Sequence, residues 1–253
     1  MGDVSAPGSD SRTKMNGLEV GLRNCVSYVN GAQLGVFNGA FRTYGAQLGF
    51  DNISYDVGGA QVGGINFSVK SSGVQAGFIN DSHEYLIGIQ FGVYLNNASS
   101  LKGLQVGVRN DSDDLRGIQV GAHNTCGGIA GVQVGAINVC GDGRYVGGVQ
   151  VGILNSSIGL VGVEVGGINV GYCSRGVMVG SFNISSDSCY GVQAGFINYA
   201  QKLRGVQAGI VNLIERDSNG VQLGLLNVRF GSPWYSSVIP FVAVRKSGKK
   251  KVD

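Results

Sequence analysis

From Gly17 to Asn227 apolar and polar positions recur as one unit, Gly-Φ-Gln-Φ-Gly-x-x-Asn with Φ aliphatic. There are fifteen copies at a spacing of 14 residues, with a few steps of 15 and one of 17. Positions 1 and 5 are Gly in every copy, position 8 is Asn in fourteen, and position 3 is Gln in twelve. Positions 2 and 4 are aliphatic throughout apart from Phe91. An apolar, polar, apolar alternation is the period of a strand. Glycine on both sides of it excludes a helix and permits close backbone approach. Position 13 is also mostly apolar, as at Leu101, Leu115, Leu160 and Leu203, while length variation falls mostly between positions 9 and 14 among Asp, Ser, Asn and Gly. That segment reads as the tolerant turn.

One short strand, glycine corners and a constant Asn per unit predict an all-β, single-domain repeat protein, a β-solenoid of about fifteen 14-residue coils. Stacked in register, equivalent side chains form ladders. The expected glutamine ladder runs through Gln33, Gln47, Gln61, Gln75, Gln105, Gln119, Gln133 and Gln150 and faces outward. The asparagine ladder, through Asn138, Asn155 and Asn169, is expected to satisfy turn backbone, with positions 2, 4 and 13 making a thin aliphatic core. The alternative is an antiparallel meander closed into a barrel, because Gly-Φ-Gln-Φ-Gly reads the same in both directions. Cys126 and Cys140 separate the two, since both occupy position 10 of consecutive units. A solenoid stacks them about 5 Å apart, whereas a meander puts them at opposite ends of neighbouring strands.

The pattern divides the chain into a flexible N-terminal lead (1–16), the array (17–227), a C-terminal cap (228–244) with the only Trp, and a basic tail (245–253). The formal charge of +3 is concentrated in that tail, which leaves the rest of the chain at about −1. A near-neutral body offers no footprint for nucleic acid. MGDVSAPGSDSRTK carries no apolar secretory stretch, so the expected origin is a cytosol or export by a non-Sec route. Five cysteines without a CxxC pair are expected to be reduced thiols.

The unit as it stands in Gly131-Val-Gln-Val-Gly-Ala-Ile-Asn138 and Gly205-Val-Gln-Ala-Gly-Ile-Val-Asn212 resembles a bacterial surface-repeat family of leptospiral and Vibrio-type lipoproteins. Val238-Ile-Pro-Phe-Val242 is similar to the way such arrays finish. The resemblance implies a cell-surface repeat module.

Chemistry is thin, and no catalytic residue, cofactor or small-molecule substrate is expected. His123 with Cys126 lacks an orienting third group. Glu19 and Glu164 replace Gln at position 3 but lie ten repeats apart, too far to share acid–base work. Asp111, Asp113 and Asp114 lack the glycine-rich signature of calcium-binding solenoids. The variable position 7 supplies a candidate binding strip at Arg23, Tyr94, Arg109 and His123. The expected function is a non-enzymatic β-repeat scaffold for protein binding or self-assembly that displays a surface ladder of Gln and Asn. A membrane-inserting barrel or pore is the alternative. Membrane contact belongs only to that alternative or to the Lys-rich tail.

Overall fold

The structure, a computed structural model, describes residues 13–215, 218–230 and 238–245. Most of the N-terminal lead, Trp234 of the cap and the tail from Lys246 onward lie outside the described residues. The chain divides into two compact units, Met1–Ala122 and His123–Asp253. Among the described residues every regular element is a strand. The first unit holds β1 (Lys14–Val20), β2 (Arg23–Leu34), β3 (Phe37–Val57) and β4 (Ala60–Leu115). β5 (Ile118–Ile129) includes the unit boundary, and the second unit holds β6 (Val132–Val146), β7 (Val149–Ile214), β8 (Gly220–Arg229) and β9 (Val238–Arg245). β4 and β7 are 56 and 66 residues long because the chain stays extended as it winds from one coil into the next.

Equivalent repeat positions sit side by side. In the first unit Gly17 pairs with Gly31, Gln33 with Gln47 and Gln47 with Gln61, all in parallel. In the second, Gln133 pairs with Gln150, Asn138 with Asn155 and Gln207 with Gln222, again in parallel. The chain is therefore a β-solenoid of about fifteen turns. The barrel is excluded, because a meander needs successive repeats to run in opposite directions. Cys126 and Cys140 stack with their Cα atoms 4.8 Å apart, as parallel coils require. They are joined as a disulfide, which corrects the expectation that all five cysteines are thiols; one coil of register brings the two Cβ atoms into bonding range.

The array starts earlier than the repeat pattern. Lys14, Met15 and Asn16, placed in the lead by sequence, pair with Tyr28, Val29 and Asn30. At the other end β9 runs antiparallel along β8, and Ala243 turns inward with 1% exposure. The register slips between Gly224 and Asn227, next to Phe241 at φ 67°.

The coil is inside out relative to expectation. Gln33, Gln47, Gln61, Gln75, Gln105, Gln119, Gln133 and Gln150 are fully buried, and so are Asn138, Asn155 and Asn169. Neither ladder is on the surface. The position-4 residues assigned to the core point outward, with Leu34, Val62 and Val134 near 40% exposed. Of the three apolar positions expected inside, only position 13 is there, as at Leu101, Leu115, Leu160 and Leu203.

Register explains the inversion. A primary amide carries both donors and an acceptor, so in a parallel stack each one can donate to one neighbour and accept from the other. Gln47 Nε2 donates to Gln33 Oε1 at 2.9 Å and Gln61 Nε2 donates to Gln47 Oε1 at 2.9 Å. The asparagines donate the opposite way along the chain. Asn38 Nδ2 reaches Asn52 Oδ1 at 2.9 Å and also the Leu48 carbonyl of the next coil at 2.9 Å. Burial then costs these amides no hydrogen bond. With Gln inward, strand alternation sends its two aliphatic neighbours out. The corners need glycine because consecutive coils nearly touch there. At Gly45, with φ +142°, a Cβ would collide with the carbonyl oxygen of Gly31.

Candidate functional site

With the amides turned inward, the outer surface of positions 1 to 6 becomes the most distinctive feature. Positions 2, 4 and 6 hold no Asp, Glu, Lys or Arg in any of the fifteen repeats. Position 6 includes Leu22, Phe50, Phe78, Val93, Ile153 and Phe196, all more than half exposed. Apart from Glu19 and Glu164 at position 3, the charged residues of the array are displaced to position 7 and to the turn segment, where they pair across coils, as in Arg42 with Asp56 and Lys70 with Glu84. Aromatic rings follow the same register on the outside. Phe41 stacks on Tyr55 at 5.0 Å, and Arg175 and Arg204 both lie over Tyr190.

In the second unit this face is shaped into a groove of about 760 Å³ along the stacked coils. Its floor is the position-5 glycines Gly152, Gly166, Gly180, Gly195 and Gly209. These glycines are fixed by packing, because a Cβ on Gly166 would overlap the Gly152 carbonyl. One wall is the position-4 row, Val151, Val165, Val179 and Ala194. The other is the position-6 row, which drops to Gly167 and Ser181 between Ile153 and Phe196 and so leaves a notch two coils wide. The lining is almost wholly aliphatic and aromatic. It can bury apolar surface, and the Ser181 hydroxyl is its one polar side chain, with no acid or base beside it.

The position-7 residues are not one strip. Arg23 and Tyr94 are exposed but five repeats apart, with Phe37, Asp51, Ile65 and Ile79 between them. Arg23 lines a separate recess of about 580 Å³ with Cys25, Phe37, Asp51 and Ile53, where Asp51 Oδ1 is buried without a hydrogen-bond partner. Tyr94 stacks on Phe78 at 5.7 Å, and in the next repeat Arg109 Nε donates to Asp111 Oδ2 at 2.8 Å. His123 is half-buried with Nδ1 unpaired, and Cys126, three residues on, is bonded to Cys140. Among the described residues no three His, Cys, Asp or Glu side chains cluster as a metal site would need.

Two interior positions were missed as sites. Glu164 and Met178 interrupt the glutamine ladder on consecutive coils, and both are fully buried. Burial pushes the Glu164 carboxyl up to about 7, against a smaller opposite pull from the Ser157 hydroxyl. The signal was available: a charged side chain substituted for a residue that elsewhere stays an amide.

Compared with protein-family models, with curated proteins and with solved structures, the chain matches none of them.

Proposed function

We propose that the chain is a non-enzymatic β-repeat scaffold that works by having its charge-free apolar face covered by protein, either another protein or a second copy. The observation that carries this is the absence of charge at positions 2, 4 and 6 of all fifteen repeats on side chains that remain exposed. Contiguous exposed apolar surface beyond a few hundred Å² marks interaction sites in soluble proteins. Seven coils of the second unit at about 4.8 Å spacing, each offering some 15 Å of strand, come to roughly 500 Å². A partner with the same 4.8 Å periodicity can interdigitate with these rows, and a second copy has it by construction. The face carries no cation to hold phosphate, which speaks against nucleic acid.

The test introduces charge where it does not touch the interior. Val179→Glu and Phe196→Glu alter outward side chains lining the groove. Sedimentation velocity over a concentration series should show association for the wild type. The variants, with unchanged circular dichroism, should sediment as monomers. A wild type that stays monomeric and binds no more apolar dye than the charged variants would overturn the reading.

A further inference from the structure

At several rungs of the ladder a glutamine Nε2 serves two acceptors of the preceding coil, a glutamine oxygen and a serine hydroxyl. Gln75 Nε2 donates to Gln61 Oε1 at 2.8 Å and to Ser68 Oγ at 3.2 Å. Gln119 repeats this with Gln105 Oε1 at 2.8 Å and Ser112 Oγ at 3.2 Å. The same three positions in the coils that begin at Gly148 and Gly162 are Gln150, Ser157 and Glu164. Here the donor is gone. Gln150 Oε1, Ser157 Oγ and both carboxyl oxygens of Glu164 are all buried without a hydrogen-bond partner. Four orphaned acceptors in one interior are what remains when an N–H donor is replaced by an ionised carboxylate.

One proton, together with a turn of the Ser157 hydroxyl, resolves all of them. We propose that Glu164 is a proton-binding site built into the solenoid interior, its carboxylic O–H taking the place of the missing amide N–H and donating to Gln150 Oε1. Ser157 then turns its hydroxyl to donate to the other Glu164 oxygen. Every orphaned atom gains a partner, and the rung is restored as a neutral one. On the opposite side lies Met178, whose sulfur accepts weakly from Gln193 Nε2 at 3.8 Å and offers Glu164 no donor.

Among the described residues nothing charged faces the carboxyl to compete with the proton. The inward side chains of its own and the flanking coils include Gln150, Ser157, Leu160, Ser174, Met178 and Ser185, with the ladder amides Asn155, Asn169 and Asn183, all uncharged. The other formal charges between Gly148 and Tyr190 are Arg175, over the outer Tyr190 ring, and Asp187, paired outside with Lys202 at 3.8 Å. Cys189, also buried, is a neutral thiol with its pKa pushed up to about 12 by burial.

The consequence is a pH-dependent weak point in the second unit. Below pH 4.5 the carboxyl is neutral whether the coils are closed or opened, and the rung contributes fully. Between 4.5 and about 7 the opened form ionises while the closed form keeps its proton, so closure weakens about tenfold per pH unit. Above about 7 both forms are ionised and the loss levels off near 300-fold, roughly the antilogarithm of the shift.

Infrared spectroscopy of the intact wild-type protein tests the proton directly. The carbonyl stretch of a protonated carboxylic acid should be present at pH 5.5, fade as pH rises through about 7, and be missing from Glu164→Gln. Amide hydrogen exchange over 148–180, corrected for intrinsic rates, should lose protection along the course above in the wild type and stay flat in the variant. Absence of the band at pH 5.5 in folded wild type overturns the proposal. So does protection that follows the concentration of Na⁺ or K⁺ instead of pH, which would make the occupant a metal ion. Equal pH dependence in wild type and Glu164→Gln overturns it as well.

Discussion

Gln33 Nε2 donates to Glu19 Oε2 at 2.9 Å, so the glutamine ladder of the first unit begins on a carboxylate. Each glutamine here donates toward the N-terminus, and the first rung therefore needs only an acceptor. A carboxylate is acceptor-only when ionised. Glu19→Gln keeps an acceptor oxygen and is expected to change stability by less than about 0.5 kcal/mol. Glu19→Leu strands the buried Gln33 amide and should cost about 1–3 kcal/mol. Urea unfolding together with amide exchange across 31–34 reads this out. Equal stability of wild type and Glu19→Leu would sink the account of how the ladder starts.

Gly45→Ala tests the coil spacing at a corner. Its Cβ would run into the Gly31 carbonyl, which is backbone held by the next coil and cannot swing away, and φ +142° adds strain of its own. A loss of at least about 3 kcal/mol, or failure to fold, is expected. Gly39→Ala is the control, since the nearest atoms to its Cβ would be 3.8 Å away in ordinary contact. If both variants unfold at the same urea concentration, the tight corners are not what glycine serves.

The repeat period and the identity of the ladder residues were legible because 14-residue self-similarity is a one-dimensional signal, whereas parallel stacking stood beside an antiparallel alternative, since the unit reads the same in both directions. Which side of the strand faces inward was not. Alternation of Val132, Gln133 and Val134 defines two faces, and a transfer-energy argument puts the valines inside. Hydrogen-bonded amide stacks reverse that preference, and they exist only once the register is known. A hint was present in position 3 departing from Gln only as Glu19, Glu164 and Met178, long side chains that fit the same slot. The apolar face was unreadable for the same reason, since two of its three rows, positions 2 and 4, had been assigned to the core. The notch at Gly167 and Ser181 depends on which coils lie beside each other and has no local signature.

The cysteines give a chemical reading of the same stacking. Denatured without reductant, the protein should titrate three thiols, Cys25, Cys173 and Cys189, against five after reduction. In the folded state Cys25 is exposed, whereas Cys189 is buried and its thiol neutral. An alkylating reagent should label Cys25 first and leave Cys189 until unfolding. Cys126→Ser with Cys140→Ser opens a 14-residue loop and should lower stability by about 3 kcal/mol in the chain-entropy view. Five thiols in the unreduced, denatured protein would contradict the bonded pair.

Glu164 and Met178 break the ladder on adjacent coils, so their effects should couple. In wild type, Met178→Gln places an amide beside an acid whose single proton is already committed to Gln150. It gains one bond to Glu164 and one from Gln193 Nε2, which now meets a weak sulfur acceptor at 3.8 Å. In a Glu164→Gln background the same substitution restores an unbroken run from Gln133 to Gln222, with every amide donating backward as Gln207 does to Gln193 at 2.8 Å. At pH 8, where ionised Glu164 cannot donate to Gln150, Glu164→Gln alone should stabilise by about 2–3 kcal/mol. The same two bonds form in either background, so the favourable coupling expected from a double-mutant cycle by chemical denaturation at pH 5.5, about 0.5 kcal/mol, comes from mutual polarisation along the unbroken amide run. Strict additivity at that pH would mean that the rungs act independently, and that the interior amides are filler and not a cooperative ladder.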